Sequence, residues 1–535
     1  MKIVLLAINA KYVHSSLSVW VIAGGVANYS RLLHEVSVIE TTINQQNEDI
    51  ADSVASHKPD VLGVSTYIWN AGKLPALLNL LRERLPDTIF ALGGPEASNN
   101  AKFWIDCGAD HVLPGEGEYI FPVFVDELAE GKLVDKVYQQ EKERINKPVD
   151  PYTDSLFKAL DGRIAYLETS RGCPFRCSFC LSAGSGVRFF PLDAAKEQIH
   201  KLSQSGTHTV KFVDRTFNCN AERAYELFAQ IIKLDTTCRF HFEVAADLFD
   251  DRTMSLLATA PLGRIQLEIG LQSFYEPALK ASQRQIDFEK AEKNILTLLQ
   301  ARNIHIHVDL IAGLPYETLD DFIRGFDRAY ALDAHTLQLG FLKLLHGSVL
   351  REQAEVFGIS YGGQPPYEIK SSPWLSEEDI KTLKQTENAL QHTYNKGRFL
   401  STLKYVLAAS GLSPFWFLNA LGAAAPNHGT QLEKYIEQIY SFCVELSGVD
   451  SSELCDCLIY DWLSMVKGKN TPTFLKNQDV RRENVEKKAE AILGRKPGRS
   501  EVAVLHSGKG VFVDSSDRDQ VSGLYRTHFM ELEEL

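Results

Sequence analysis

Apolar residues along the chain follow two kinds of pattern, and each marks a different region. Residues 1–135 carry five short apolar or β-branched runs, "KIVLLAIN", "EVSVIETT", "VLGVSTY", "IFALGGPE" and "ADHVLPGE". Helical patterns such as "KLPALLNLLRERL" lie between them. Near-continuous apolar strands alternating with helices predict a parallel sheet covered on both faces. Five strands in this length predict a flavodoxin-like or Rossmann-like open sheet.

Residues 136–160 include the polar, proline-containing stretch "QQEKERINKPVDPYTDS" and are expected to be a linker. Residues 161–350 alternate again. "RIAYLETS", "TVKFVDR", "RFHFEVAAD", "RIQLEIGLQS", "HIHVDLIAGLP" and "TLQLGFLKLL" read as strands, with helices such as "DFEKAEKNILTLLQARN" between them. Six βα units predict a partial (βα)6 barrel with functional groups at the C-terminal ends of its strands. In residues 351–535 the strand signal fades into mostly helical stretches such as "SEEDIKTLKQTENALQHTYNKG". "EVAVLHS" and "GVFVDS" near the end form a candidate hairpin. The fold class is therefore α/β, followed by a mostly helical C-terminal domain.

Charge and cysteine usage narrow the function classes. The formal net charge of -13 disfavours nucleic acid and anionic lipid as partners. No apolar run reaches the length of a membrane span, and "MKIVLLAINA" reads as a first strand rather than a signal peptide. Nine cysteines, an odd number, fit a reducing cytoplasm, where clustered thiols are metal ligands more often than disulfides.

Three of them stand together in "RGCPFRCSFC": Cys173, Cys177 and Cys180. On a helix they would share a face, but Gly172 and Pro174 resist a helix, and Arg171 and Arg176 disfavour a buried stripe. A structural zinc site normally takes four ligands. His200 and His208 are distant in sequence, and Cys219 stands alone. Three thiolates on one loop suit a [4Fe–4S] cluster with one iron left open.

A Cys-x3-Cys-x2-Cys loop after the first strand of a predicted barrel, with Phe179 just before the last cysteine, resembles the radical SAM superfamily. The resemblance implies that S-adenosylmethionine (SAM) chelates the open iron and that the strand ends hold the rest of it. "FVDRTFN" (212–218) resembles the F-x-D-x-x-F strand end of cobalamin-linked members, which would place Asp214 near the SAM amino group. Glu243 ends the third strand. "EIGLQS" (268–273) resembles the fourth-strand segment, placing Gln272 and Ser273 near ribose or methionine. "IAGLPYET" (311–318) resembles the fifth, with Gly313 in it and Tyr316 where a glycine is usual. For each polar strand-end residue, a loop hydrogen bond or cap is the competing reading.

In the front domain three strand ends stand out: Ser65 and Thr66 in "GVSTYIWN", Gly93, Gly94, Pro95 and Glu96 in "LGGPEAS", and Gly115, Glu116, Gly117 and Glu118 in "PGEGE". Glycines let a backbone approach a large flat ligand, and they also serve tight turns. No G-x-G-x-x-G follows the first strand and no P-loop is present. Ahead of this barrel the pattern resembles the cobalamin-binding domain of the B12-binding radical SAM family. "SSPWLS", "YNKGRF" and "LIYDWL" are similar to a subgroup with a C-terminal domain of unknown function. The D-x-H-x-x-G motif is absent, which implies cobalamin without a histidine lower ligand. His14 follows the first strand and is either near the corrin or an ordinary surface or core histidine. Cys455 and Cys457 read as core or surface thiols rather than redox groups.

The resemblance implies an iron–sulfur, SAM- and cobalamin-binding transferase. It would move a methyl group to an unactivated carbon through a 5′-deoxyadenosyl radical and methylcobalamin. The alternatives are a cyclisation, rearrangement or methylthiolation with the same cofactors, or a sensor without turnover. A reductant such as flavodoxin or ferredoxin is the expected partner. The substrate and the catalytic residues are not legible.

Overall fold

The computed structural model describes residues 1–132, 134–139, 148–427, 429–477 and 482–531. They group into two compact units. One comprises Met1–Thr259, Lys280–Gln285 and Leu342–Ser372, the other Ala260–Leu279, Ile286–Phe341 and Pro373–Leu535. Part of the expected linker, residues 140–147, lies outside the described residues. Near its end the chain forms a short helix, Asp154–Ala159, capped by Thr153, whose Oγ1 accepts from the Leu156 amide at 3.4 Å.

In the first unit the front sheet has five parallel strands: β1 (Lys2–Asn9), β2 (Glu35–Thr42), β3 (Val61–Ser65), β4 (Ile89–Gly93) and β5 (His111–Leu113). Alternate residues of β1 enter two cores. Val4, Leu6 and Ile8 pack with Leu77, Leu81 and Trp104. Ile3, Leu5 and Ala7 pack with Val19, Phe121 and Phe124. Each fully buried Leu or Ile is worth roughly 1.5–3 kcal/mol, so the strand is a rigid base for the loop that leaves it. The strand order is β2-β1-β3-β4-β5. The order reverses between β1 and β3, and ligands of such sheets bind outside the carboxyl strand ends at that reversal.

The same unit holds β6 (Ile164–Leu167), β7 (Ser170–Cys173), β8 (Gly186–Phe189), β9 (Thr209–Phe212) and β10 (Arg239–Val244). β6, β9 and β10 are parallel neighbours. β7 and β8 form an antiparallel hairpin. The sequence reading had one strand carrying the chain straight into the thiol loop. The structure corrects this: "IAYL" ends at Leu167, and "SRGC" begins a second, paired strand.

The second unit holds β11 (Ile265–Gln272), β12 (His305–Ala312) and β13 (Thr336–Phe341), again parallel. The six expected βα strands are thus all present, three in each unit. Burial alternates strictly along β11 and β12. Ile265, Leu267, Ile269 and Leu271 face the core, leaving Glu268 and Gln272 on the other face with His307 and Asp309 of β12. A parallel strand covered on both faces would be apolar throughout, so this alternation marks a polar face.

The C-terminal part is helical as expected, beginning with Glu377–His392, which Ser376 and Asp379 close with a capping box. The expected hairpin is present as Val502–Val504 against Gly510–Arg518. A third strand, Tyr525–Met530, extends it. No single helix among the described residues is long and apolar enough to cross a membrane. The bent pair Leu400–Ser410 and Pro414–Ala424 passes that test by composition alone, and Phe415, Phe417, Leu418 and Leu421 of the pair are buried.

Candidate functional site

The thiol loop hangs from the β7–β8 hairpin. Gly172 sits at φ +96°, and a Cβ there would stand 1.8 Å from the Gly186 carbonyl oxygen, so only glycine closes this hairpin. Cys173 ends β7. Past it the chain is irregular, and the Cys180 amide bonds back to the Cys177 carbonyl at 3.0 Å. Ser178 anchors the loop: its amide donates to Ser282 O at 2.9 Å, and its carbonyl accepts from Leu350 N at 2.8 Å. Phe179 is half-buried beside it. All nine cysteines are free.

Each of the three sulfurs has a polar neighbour. Cys173 Sγ lies 3.6 Å from Thr216 Oγ1, Cys177 Sγ accepts from Arg284 Nη1 at 3.5 Å, and Cys180 Sγ accepts from Ser182 N at 3.4 Å. Burial pushes the Cys180 thiol up. Cys219, which the sequence left standing alone, is near the group in space. Burial first, then the charges of Cys173 and Asp214, push its thiol up to about 11. Tetrahedral zinc would draw its sulfurs to within about 4 Å of one another. Among the described residues, only Glu268, His307 and Asp309 bring three ligand-type atoms within 4.8 Å. The three thiol sulfurs do not meet that spacing.

Asp214 has a role that the sequence did not indicate. Its carboxylate accepts from Thr169 N (2.8 Å), Thr169 Oγ1 (2.7 Å) and Ser170 Oγ (2.6 Å), and burial pushes it up to about 6. It fixes the start of β7 and, through it, Cys173. Asn218 ties the same loop to the end of β10, donating to Ala245 O at 2.8 Å and accepting from Ala245 N at 3.0 Å. Glu243 is half-buried on that strand.

In the second unit Gln272 is held at φ +69°, and its Oε1 is buried with no hydrogen-bond partner among the described residues. A strained backbone and an orphaned acceptor mark a residue presented to something else. Next to it, Ser273 Oγ donates to Glu317. Gly313 turns at φ +99°, and Tyr316 takes a left-handed φ of +70° with its ring 4.6 Å from that of Trp374. Burial pushes Glu317 up to about 8. The folded chain therefore holds a proton that the unfolded chain releases above about pH 4.5, and stability falls as pH rises toward 8. Glu317→Gln is expected to melt higher than the wild type at about pH 9 and close to it at about pH 5. Parallel melting curves at the two pH values would contradict this assignment.

The front-domain strand ends are spoken for by the protein to differing degrees. Thr66 is fully buried: its hydroxyl donates to Gly93 O at 2.7 Å and accepts from Ala97 N at 2.8 Å. Ser65 Oγ reaches Leu6 O at 3.5 Å. Gly94, at φ +98°, would place a Cβ 2.5 Å from Thr66 O, and a Cβ on Gly117 would stand 2.9 Å from Ile22. These glycines meet the protein's own packing, so a bulky residue at either position would disturb the fold whatever the ligand. Pro95 starts a short helix, and buried Glu96 accepts from Tyr367 Oη at 2.9 Å. Tyr367 belongs to the Leu342–Ser372 segment, which the sequence did not connect with the front domain.

Gly115 turns at φ +112° into Glu116 and Glu118, and both carboxylates face Arg171. Arg171 Nη1 lies 3.1 Å from Glu116 and 2.8 Å from Glu118, its Nη2 lies 2.5 Å from Glu168, and Arg188 of β8 pairs with Glu116 at 2.7 Å. Burial pulls the Arg171 guanidinium down, but the hydrogen bonds and charges of Glu168, Glu118 and Glu116 outweigh it and hold it charged. Burial pushes Glu118 up against the opposing pull of Arg171.

Sequence reasoning also passed over an aromatic pair. Tyr67 and Trp69, just after β3, stack with ring centroids 4.3 Å apart. Trp69 Nε1 donates to Ile8 O at 3.1 Å, across the β1–β3 reversal, yet the residue remains 44% exposed. Tyr12 and Val13, after β1, are exposed as well. The sequence signal for the pair lies in "STYIWN", beside the hydroxyls of Ser65 and Thr66. His14 is engaged: its Nδ1 lies 2.6 Å from Tyr166 Oη, and burial lowers its pKa, keeping the ring neutral. Burial pushes the Cys455 thiol up and the Cys457 thiol up to about 12, which disfavours their thiolates.

Comparison with known proteins agrees with this layout. Residues 3–125 match the B12 binding domain, 167–329 the radical SAM superfamily, and 355–505 a protein family of unknown function, DUF4080. The cobalamin-dependent radical SAM methyltransferase TokK of Streptomyces tokunonensis is 24% identical over 58% of this chain and 51% of its own length. The hopanoid C-3 methylase of Methylococcus capsulatus is 23% identical over 52% of this chain and 58% of its own length. The chain thus spans little more than half of these relatives. In fold it is similar to the methyltransferase TsrM of Kitasatospora setae, solved with cobalamin and a [4Fe-4S] cluster (TM-score 0.56, 17% identity, 68% of this chain and 82% of that one). It is also similar to the cobalamin-dependent SAM radical enzyme OxsB, solved with aqua-cobalamin (TM-score 0.58, 14% identity, 86% and 79%). The chain thus carries, in that order, a match to the B12 binding domain, one to the radical SAM superfamily and one to DUF4080, the domain order expected of a cobalamin-binding radical SAM protein with a C-terminal domain of unknown function.

Proposed function

We propose that this protein is a radical SAM enzyme that transfers a methyl group to an unactivated carbon. The observation that carries the reading is the Arg171 cluster. Two residues before Cys173, it ties the "GEGE" loop of the front domain to the hairpin bearing the thiols. When bound, the cluster, SAM and cobalamin supply the radical and the methyl group. The chain's own residues bind and orient. Cys173, Cys177 and Cys180 would hold the cluster, since three free thiols spread wider than a single-ion site suit it. Gln272, with its orphaned Oε1, is a proposed SAM contact, as are Phe179, Glu243, Ser273 and Gly313. Asp214 acts indirectly, by fixing β7.

The loops at Ser65, Thr66, Gly93–Glu96 and Gly115–Glu118 would face cobalamin at the β1–β3 reversal, where exposed Trp69 and Tyr12 offer flat apolar surface. A one-electron donor such as flavodoxin or ferredoxin is the partner this chemistry requires. Nine free cysteines suit a reducing compartment such as the cytoplasm.

No D-x-H-x-x-G is present, and His14 is held by Tyr166. Cobalamin is expected to bind with its own base displaced and no protein histidine on the cobalt, so EPR of the one-electron-reduced form should show cobalt lines without the threefold splitting of a nitrogen ligand. Splitting that vanishes in His14→Ala would make His14 a ligand. The activity itself is tested by incubating the holoenzyme with methyl-deuterated SAM and a metabolite extract from cells lacking the protein. A product heavier by one labelled methyl group supports the reading, and a labelled methylthio product or an unlabelled rearranged one contradicts it.

A further inference from the structure

The cysteines do not account for Arg284. It lies in Lys280–Gln285, a short stretch of the first unit separated in sequence from the thiol loop by about a hundred residues. Two contacts join that stretch to the loop. Fully buried Ser282 accepts the Ser178 amide at 2.9 Å. Gln283, at φ +53°, then turns the chain, and Arg284 Nη1 donates to Cys177 Sγ at 3.5 Å. Cys177 is buried, 6% exposed, so a guanidinium beside its sulfur acts through little water and is only weakly screened.

We propose that Arg284 sets the reduction potential of the cluster held by Cys173, Cys177 and Cys180. The proposal rests on the cluster reading above. Reduction takes one electron from an external one-electron donor and adds one negative charge to the cluster, with no bond made or broken. A fixed positive charge hydrogen-bonded to a ligand sulfur stabilises the more negative, reduced form, so it raises the potential. Arg284 is thus a positioning and tuning residue that eases entry of the electron on which the chemistry depends.

The test is an EPR-monitored redox titration of cluster-loaded, full-length protein, with iron counted in each sample. Arg284→Gln and Arg284→Met are expected to keep their iron. At the wild-type midpoint their reduced-to-oxidised ratio should fall about tenfold, a shift of about 59 mV for one electron. Arg284→Lys, which keeps the charge, should recover most of that shift. Full iron with an unchanged midpoint in either neutral variant overturns the proposal. So does loss of iron in both, which would make Arg284 a fold element, and so does a lysine variant as low as the neutral ones. Absence of iron from the wild type would instead sink the cluster reading.

Discussion

Replacing Cys173, Cys177 and Cys180 together by alanine is expected to take anaerobically reconstituted protein from about four irons per chain to none. Replacing Cys107, Cys238, Cys443, Cys455 or Cys457 should leave the iron in place. Cys219 is the informative control, because it lies near Cys173 in space though not in sequence. In an open-iron arrangement it is a bystander, so Cys219→Ala should retain its iron and its SAM-dependent change in the cluster EPR signal. Iron lost in Cys219→Ala would mean a fourth thiol ligand, and then no iron is left open for SAM. Iron analysis with absorbance of the cluster decides between the two.

Replacing Arg171 by methionine should have the largest effect on stability outside the cysteines. The change leaves Glu116 paired with Arg188 alone and strips Glu118 of its nearest cation. Glu118 has an 8% exposed side chain, and burial already raises its pKa. Breaking a buried pair by removing one partner costs about 3–5 kcal/mol, much of it the penalty of the charge left behind. Adding Glu118→Gln should therefore recover part of the loss, because the double variant has no buried carboxylate at 118 and leaves only half-buried Glu168 without its guanidinium. Thermal melting of the four members of the cycle measures this. Cobalamin retained per chain reads the functional side, and Arg171→Met should release cobalamin while its cluster signal persists. An Arg171→Met melt within about 0.5 kcal/mol of wild type would mean that the cluster of charges is solvated and does not hold the two loops together.

Legibility in the sequence followed the range of the interaction. β1 was readable because six of its eight residues, Ile3 to Ile8, are buried and apolar. β11 and β12 were readable as strands, whereas the polar face that carries Gln272 emerged only from their burial pattern. The thiol spacing was readable because one loop supplies all three sulfurs. The β7–β8 hairpin was not. "SRGC" and "GVRF" are four-residue strands without an apolar period, and their pairing is fixed by Gly172 fitting against Gly186. Asp214 was singled out, but not its partners Thr169 and Ser170, some forty-five residues earlier. Glu116 and Glu118 were found through their glycines, whereas their pairing with Arg171 depends on tertiary placement that no local pattern encodes. Gly94 was explained by ligand approach, and the structure explains it by the Thr66 backbone. The third terminal strand, "YRTHFM", is mostly half-exposed and carries little hydrophobic signal.

A chain that holds a cluster with an open iron should use it to cleave SAM. The most direct measurement is 5′-deoxyadenosine released on chemical reduction of reconstituted protein supplied with SAM. Release by the wild type and none by the Cys173, Cys177 and Cys180 alanine variant is the predicted result. A full complement of iron with no 5′-deoxyadenosine under any reductant would contradict it.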